Sequence, residues 1–162
     1  LQKEPEIAEI AASTGAGLCI MHTGRGRERL ADVVADQFDY LKRSLAIAAA
    51  AHVRPETITL DPGFGFAKET VEENMALMAR AEELLALGYP LLVGTSRKRF
   101  LGTLTGRDAG DRDAATAATT VLLRLKGASV FRVHNVAINR DVLAIADAML
   151  EAQGQAPKGQ AR

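Results

Sequence analysis

The stretch T-I-T-L-D-P-G-F-G-F-A-K (residues 57–68) decides the fold class, because a short apolar run ends there in a sharp turn. Thr57 to Leu60 are typical of a buried strand, and Asp61 follows that strand directly. The proline ends the strand's hydrogen-bond ladder, and the two glycines permit close backbone approach. The stretch therefore predicts a buried strand with a carboxylate at its carboxyl end.

Three further apolar runs are predicted strands, and a helical pattern follows each of the four strands. These runs are residues 17–21, 90–93 and 129–133. Strands that alternate with helices, with almost no hairpin signal, indicate a parallel sheet covered by helices. Both an open doubly wound sheet and a (β/α)8 barrel fit this pattern. Four strand–helix units are half of such a barrel, whose usual size is about 250 residues.

The helices carry boundary signals in the sequence. Thr70 and Glu73 form a capping box for the helix after the second strand, and Gly88 supplies its stop. Asp113 and Asn139 are expected to cap the helices after the third and fourth strands. In the last helix an apolar set is expected to face inward, namely Val142, Ile145, Ala146 and Met149.

Composition excludes several classes of protein. The 162 residues are 48% hydrophobic and 25% charged, which excludes a disordered chain and allows one domain or part of a larger one. Equal numbers of basic and acidic residues, 20 each, argue against a dedicated nucleic-acid binder. The single cysteine, Cys19, is expected in the core and excludes an intrachain disulfide framework. No apolar run approaches the roughly 20 residues of a membrane helix.

Charged side chains follow the second and third predicted strands, at the sheet edge where both architectures bind ligands. Asp61 could accept two parallel hydrogen bonds from a guanidinium or an aminopyrimidinone edge. The alternative is a carboxylate that caps a turn. Arg97, Lys98 and Arg99 follow the third strand, and three cations at this position indicate a nearby anion. A solvated surface run is the alternative for these three.

Arg132 and His134 are two residues apart on the fourth strand, so both point to the same side of it. An arginine in a buried strand needs an anionic partner, either a phosphate or carboxylate ligand or a structural carboxylate. Together, these strand ends predict a ligand with a donor-rich heterocyclic edge and an anionic group. No nucleophile elbow or glycine-rich phosphate motif supports covalent catalysis or dinucleotide binding.

Three motifs, in this order, closely resemble those of the bacterial dihydropteroate synthases. They are L-D-P-G-F-G-F-A-K (60–68), G-T-S-R-K-R-F-L-G (94–102) and R-V-H-N-V (132–136). The resemblance reaches to about Glu151 and implies a (β/α)8 TIM barrel. This chain would supply about the last four βα units, as residues 1–152, followed by a disordered tail at 153–162. The family's first four strands and its early mobile loops would then lie outside this chain.

The resemblance implies a reaction of folate biosynthesis. In it, 6-hydroxymethyl-7,8-dihydropterin diphosphate condenses with 4-aminobenzoate to give 7,8-dihydropteroate and pyrophosphate. By motif position, Asp61 would hold the amino-pyrimidine edge of the pterin, and Lys98 would contact and orient the pterin ring. The other residues expected to line the pterin pocket are Met21, Leu92 and Gly94.

The same motif positions assign the second substrate and the diphosphate. Phe66 and Arg97, with the backbone near Arg99, would surround 4-aminobenzoate. Arg132 and His134 would bind the diphosphate. The residues expected to be catalytic are Lys98, Arg132 and His134.

The resemblance also implies a cytoplasmic sulfonamide target that binds small-molecule substrates and neither nucleic acid nor membrane. A homodimer through the late helices is expected. Mg²⁺ would arrive with the substrate diphosphate, and its protein ligand is expected in the amino-terminal half, with none in this chain.

Two other functions stay open at this point. One is a binding module that retains a pterin or diphosphate site without turnover. The other is a pterin-binding methyltransferase domain, although a methyl donor has no diphosphate for the S-R-K and R-V-H motifs to hold. In any of these cases a half barrel alone is expected to be unstable, because its first and last strands present unpaired edges.

Overall fold

The structure is a computed structural model that describes residues 1–154, and in them strands alternate with helices as predicted. The strands are β1 (Leu18–Met21), β2 (Ile58–Asp61), β3 (Leu92–Val93) and β4 (Val130–Phe131). The α-helices are α1 (Glu6–Thr14), α2 (Val33–Ala50), α3 (Val71–Ala79), α4 (Arg99–Thr105), α5 (Asp113–Leu125) and α6 (Val136–Ala152). Three 3₁₀ segments, Pro55–Thr57, Ala81–Leu87 and Ala109–Asp111, complete the order.

The strands form a parallel arrangement in the order β1-β2-β3-β4. β1 pairs with β2, and β3 pairs with β4, both in parallel. The two pairs meet at a parallel bridge between Leu60 and Leu91, where the Leu60 N–H also donates to the Pro90 carbonyl at 2.9 Å. The predicted parallel sheet is therefore confirmed. Residues 1–154 do not close it into a barrel, and β3 and β4 are shorter than predicted.

The helices cover one face of this sheet. Leu18 and Ile20 of β1 are buried in the core, together with Ile58 and Leu60 of β2. Cys19, between the two core residues of β1, is exposed, so its expected place in the core is wrong. The reason is the alternation of a strand, which turns Cys19 toward the face that the described helices leave open.

Local boundary signals are confirmed for the helix after β2. The Thr70 hydroxyl accepts from the Glu73 N–H at 3.1 Å, and the Glu73 carboxylate accepts from the Thr70 N–H at 3.3 Å, which completes the capping box. Gly88 stops the segment in the left-handed conformation, with φ of 81°. The predicted single helix is interrupted, however, because α3 ends at Ala79 and a 3₁₀ segment follows.

The two other cap predictions are wrong. Asp113 is the first residue of α5 and does not cap it, because its carboxylate binds side chains of other segments. Asn135 caps α6, accepting a hydrogen bond from the Ile138 N–H at 3.3 Å. Asn139 is instead a buried residue of the first turn, and its side chain accepts from the Thr120 hydroxyl at 2.6 Å.

Helix α6 packs on α5 through a narrower stripe than predicted. Ala146 and Leu150 are buried, whereas Ile145 is 75% exposed and Met149 is 41% exposed. The expected inward direction is therefore wrong for these two side chains, and α6 presents an apolar outer face.

The end of α6 is a turn at Gln153 and Gly154, whose N–H groups donate to carbonyls of the last helical turn. The rest of the predicted tail, residues 155–162, lies outside the described residues. None of the helices in residues 1–154 combines the length and hydropathy that crossing a membrane requires.

Candidate active site

The pairing register places the predicted pterin residues on one face of the sheet. Met21 of β1 lies opposite Asp61 of β2, on the same side as the exposed Cys19. In the other strand pair, Leu92 lies opposite Val130 on the corresponding side. Two residues further on, Gly94 and Arg132 continue that side of each strand. Four predicted pterin residues and one predicted diphosphate residue therefore share the face that the described helices leave uncovered.

Asp61 is a buried carboxylate, 4% exposed, at the carboxyl end of β2. Its Oδ1 accepts a hydrogen bond from the Gly63 N–H at 2.7 Å, and within residues 1–154 its Oδ2 makes no hydrogen bond. Burial raises the pKa of Asp61, while the Gly63 N–H and the nearby charges of Lys98 and Arg132 oppose that rise. The backbone holds one oxygen, and the other can accept from a donor-rich ligand edge.

Gly63 is the position where this turn requires a glycine. Its φ is +65°, in the left-handed region, and a Cβ there would overlap the carbonyl oxygen of His22 at the end of β1. The turn after β2 therefore packs closely against the end of β1.

Lys98 connects the turn after β2 to the loop after β3. Its ammonium group donates to the Phe64 carbonyl and lies 4.7 Å from the centre of the Phe66 ring. Burial lowers the pKa of Lys98 to about 8, although the negative charge of Asp61 acts in the opposite direction. A part-buried cation beside an aromatic ring is suited to a flat ligand that carries polar atoms.

A pocket of about 360 Å³ opens at this junction. Three predicted site residues, Phe66, Lys98 and Arg99, line it. The other lining residues are Arg25, Phe64, Gly65, Lys68, Glu69, Asn74 and Phe100. The pocket thus unites two of the predicted 4-aminobenzoate residues with the predicted pterin lysine.

Arg97, the third residue predicted to meet 4-aminobenzoate, does not line this pocket. Its guanidinium forms two hydrogen bonds with the Asp113 carboxylate, at 2.8 and 3.1 Å. The Arg97 hydrogen bond is the main cause that lowers the pKa of Asp113 to about 2. Arg97 is therefore engaged in a structural ion pair, and its contact with 4-aminobenzoate stays a prediction.

Arg132 lies across the backbone of Gly94, where a Cβ would approach its Nη2 to 2.9 Å. A side chain at position 94 would therefore require this guanidinium to move. Arg132 is exposed, and within residues 1–154 it forms no ion pair. A structural carboxylate partner, the alternative for this arginine, is thus not found in the described part of the chain.

His134 is held by Ser96, a residue that the sequence reasoning did not single out. The Ser96 hydroxyl lies 2.8 Å from His134 Nδ1 and also accepts from the His134 N–H at 3.1 Å. The next residue, Asn135, donates to Asp113 at 2.9 Å. These contacts tie the end of β4 to the loop after β3. Ser96 directly precedes Arg97 and Lys98 in the S-R-K motif, and this position was the signal available from the sequence.

A buried polar cluster lies behind the turn after β2, and sequence reasoning missed it. Asp36, in the first turn of α2, binds Arg27 through both carboxylate oxygens, at 2.8 and 2.5 Å, and lies 2.9 Å from His22 Nε2. Lys68 lies 3.0 Å from the other ring nitrogen, His22 Nδ1. His22 and Asp36 are 14 residues apart in the chain, so spacing along a single element could not reveal this pair.

The charges in this cluster are shifted by their surroundings. Burial and, second to it, the charge of Lys68 together lower the pKa of His22 to about 4, although Asp36 opposes them. Burial also lowers the pKa of Lys68 to about 8. For Asp36, burial raises the pKa, but hydrogen bonds from Arg27 and the Leu30 N–H outweigh it and hold the value at about 2.

Residues 1–154 contain no group of three or more histidine, cysteine or acidic side chains placed to hold a metal ion. The described site is therefore one carboxylate, several cations and an aromatic wall. This set can orient a polar heterocycle and stabilise negative charge on a leaving group.

Comparison with known proteins agrees with this chemistry. Residues 1–134 match the family described as pterin binding enzyme. The chain is 41% identical over 138 residues to dihydropteroate synthase of Staphylococcus haemolyticus, which covers 84% of the chain and 51% of that protein. It is 38% identical over 151 residues to dihydropteroate synthase of Bacillus subtilis, covering 93% of the chain and 52% of that protein.

Solved structures give the same result. The chain superposes with a TM-score of 0.85 and 37% identity on dihydropteroate synthase of Clostridium difficile in the presence of pteroic acid, covering 89% of this chain and 54% of the other. Dihydropteroate synthase of Yersinia pestis in a sulfonamide complex gives a TM-score of 0.86 and 32% identity, with 92% and 56% covered. The resemblance noted in the motifs is confirmed, and the chain spans about half the length of the relatives it matches.

Proposed function

The chain belongs to the pterin-binding enzyme family, and from this we propose that it is the carboxyl-terminal half of a dihydropteroate synthase. The reaction is the condensation of 6-hydroxymethyl-7,8-dihydropterin diphosphate with 4-aminobenzoate, which yields 7,8-dihydropteroate and pyrophosphate. The observation that carries the proposal is the common face of Asp61, Gly94 and Arg132, with Lys98 beside it. A heterocycle-binding carboxylate and an arginine without an ion pair in residues 1–154, both on one face, match the two ends of this substrate.

Each end of the pterin diphosphate has a partner in this arrangement. The free Oδ2 of Asp61 accepts from the amino-pyrimidine edge of the pterin, and Lys98 contacts the ring from the side of Phe66. Arg132 and His134 hold the diphosphate beyond the ends of β3 and β4. Met21, Leu92 and Gly94 form the floor between the two ends.

The chemistry follows from this placement. The bond between the pterin methylene carbon and the diphosphate oxygen breaks, and pyrophosphate leaves with the electron pair. The nitrogen of 4-aminobenzoate forms the new bond to that carbon and then loses a proton. Arg132 gains interaction energy as charge develops on the leaving oxygen, so it stabilises the transition state more than the bound substrate. The other groups act by positioning, and no nucleophilic side chain is needed.

The fold and assembly belong to the same proposal. The four parallel strands form about half of a (β/α)8 barrel, and the open face of β1–β4 is part of its interior. The exposed apolar side of α6, which includes Ile138, Ile145 and Met149, is the surface through which two copies of the enzyme pair. Mg²⁺ accompanies the diphosphate as part of the substrate, and the enzyme works in the cytoplasm.

A binding module without turnover is the second candidate, because the chain spans about half the length of the relatives it matches. Such a module would bind the pterin diphosphate and release no pyrophosphate. A pterin-binding methyltransferase domain is less consistent with the unpaired Arg132, since a methyl donor offers no diphosphate to it.

The test is release of pyrophosphate by the protein expressed from its complete reading frame. Lys98→Ala should lower the rate at least about tenfold, because it removes the cation between the pterin site and the aromatic wall. The matched control is Lys126→Ala, which removes a surface lysine paired with Glu82. A parent protein that binds pterin diphosphate and releases no pyrophosphate would favour the binding module. Equal rates for Lys98→Ala and the parent would contradict the assigned site.

A further inference from the structure

We propose that Gln37 and Lys68 are positioning residues for the Asp61 carboxylate, which they reach through the backbone of the Pro62–Gly63 turn. Neither side chain lies on the open face of the sheet, and neither has been assigned a substrate contact, although Lys68 lines the pocket beside Phe66 and Lys98. The inference rests on the proposed function, since it takes Asp61 to be the pterin-binding group. It adds two buried side chains that hold the turn whose N–H donates to that group.

Gln37 donates a hydrogen bond to the peptide group between Pro62 and Gly63, on the side opposite to Asp61. This side chain of α2 is fully buried, and its Nε2 donates to the Pro62 carbonyl at 3.0 Å. The Gly63 N–H, at the other end of the same peptide, donates to Asp61 Oδ1 at 2.7 Å. A trans peptide directs its C=O and N–H in opposite directions. Gln37, the peptide and Asp61 therefore form one continuous line of hydrogen bonds.

A line of buried hydrogen bonds fixes and strengthens its members. Each donor polarises the next group, so Gln37 makes the Gly63 N–H a better donor to the carboxylate. The Oε1 of Gln37 is buried and has no hydrogen-bond partner within residues 1–154. An unpaired buried oxygen is unfavourable, and an apolar side chain would avoid that cost. What position 37 contributes is its N–H donor.

Lys68 holds the following peptide in the same turn. Lys68 is 2% exposed, and its ammonium group donates to the Gly63 carbonyl at 2.9 Å. The Pro62 and Gly63 carbonyls thus each have a buried donor, one from α2 and one from the end of the turn. A Cβ at Gly63 would overlap the His22 carbonyl oxygen, so this turn also packs closely against the end of β1.

The test uses Gln37→Met in the protein expressed from its complete reading frame, since methionine has similar volume and no donor. Calorimetry with 6-hydroxymethyl-7,8-dihydropterin should give about tenfold weaker binding, as expected for a weakened hydrogen bond to a charged group. Carbon NMR should show a raised pKa of Asp61, because the Gly63 N–H then donates less well. The KM for 4-aminobenzoate should stay within about twofold of the parent.

The matched control is Ser44→Ala, which removes a buried hydroxyl from the same helix, where it donates to the Tyr40 carbonyl at 3.0 Å. It should leave both pterin affinity and the pKa of Asp61 unchanged. Unchanged pterin affinity in Gln37→Met would overturn the inference for that residue. If Gln37→Met does not fold, Lys68→Met is the second test, with the same expected loss and the same contrary result.

Asp61→Asn separates failure of this inference from failure of the proposed function. If the parent does not bind the pterin, or binds it no better than Asp61→Asn does, then the proposed function fails and this inference fails with it. If Asp61→Asn loses binding while Gln37→Met and Lys68→Met keep it, only the positioning roles fail.

Discussion

The two strand pairs of the sheet end in opposite ways. After β1 and β2, the polar groups are buried: His22, Asp61 and Lys68 are each 4% exposed or less, and each takes part in at least one hydrogen bond within the described residues. After β3 and β4, Arg132 and His134 are exposed, and Arg132 has no ion pair in residues 1–154. A neutral heterocycle is recognised by hydrogen bonds of fixed direction, which require a rigid site. A diphosphate is recognised by charge, which an exposed arginine supplies on contact.

The largest expected effect comes from removing Asp36 of α2, the anion of the buried polar cluster behind the turn after β2. Asp36→Ala should lower the free energy of unfolding by about 3–5 kcal/mol, because Arg27 loses both hydrogen bonds in a buried site. Urea unfolding of the protein expressed from its complete reading frame measures this. The matched control, Asp39→Ala, breaks an exposed pair with Arg43 on the same helix and should cost at most about 1 kcal/mol. Equal costs for the two variants would show that burial around Asp36 has no energetic role.

Acid should weaken the same region. The pKa of His22 in the folded protein, about 4, lies below its ordinary value of 6.5. Its stabilising contribution is therefore complete above pH 6.5 and is lost as the pH falls through 4. Asp36, Lys68 and Arg27 face this ring, and Asp36, with a pKa of about 2, adds a further loss below about pH 4.

Unfolding measured from pH 7 to pH 4 should show a fall of up to about 3 kcal/mol from His22. His52→Asn, which changes a histidine just after α2, should leave that slope intact. A flat profile between pH 7 and pH 4 would contradict the buried state of His22.

A substitution after the second strand pair should lower the activity of the protein and leave its stability unchanged. Arg132→Ala is expected to lower pyrophosphate release about a hundredfold, since one charge-stabilising group is lost from the transition state. The melting temperature should stay within about 2 °C, because the guanidinium is exposed. Arg140→Ala, an exposed arginine of α6, is the control and should change neither quantity. A large loss of stability in Arg132→Ala would remove the distinction between the two strand pairs.

The smallest effect concerns the residue that holds His134. Ser96→Ala should reduce pyrophosphate release about fivefold, which corresponds to loss of one hydrogen bond of about 1 kcal/mol. Ser13→Ala, at an exposed serine of α1, is the control. If Ser96→Ala matches the parent in rate, then His134 does not depend on this contact.

The sequence predicts those features of the two strand pairs and their helices that depend on residues close together in the chain. The D-P-G turn, the capping box at Thr70 and the stop at Gly88 each depend on neighbouring residues, and all are confirmed. Cys19 was assigned to the wrong environment because the uncovered face of β1 was not foreseen.

The pairings that organise the site were beyond reach because they join distant segments. His22 and Asp36, and Arg97 and Asp113, meet only after helices pack on the sheet. Asp113 was expected to cap a helix, because aspartate is common at that position. Its carboxylate instead accepts hydrogen bonds from Arg97, which lies in the loop after β3. Gln37 carries no charge and no motif, and only its contact with the Pro62 carbonyl gives it a role.

We propose that the pterin diphosphate is held at its two ends by different means, by hydrogen bonds at Asp61 and by charge at Arg132. Calorimetry with 6-hydroxymethyl-7,8-dihydropterin and with its diphosphate, on the parent, Asp61→Asn and Arg132→Ala, tests it directly. Asp61→Asn should weaken binding of both compounds about tenfold or more, while Arg132→Ala should weaken only the diphosphate. Equal loss of both compounds in Arg132→Ala, or no loss of either, would contradict the claim.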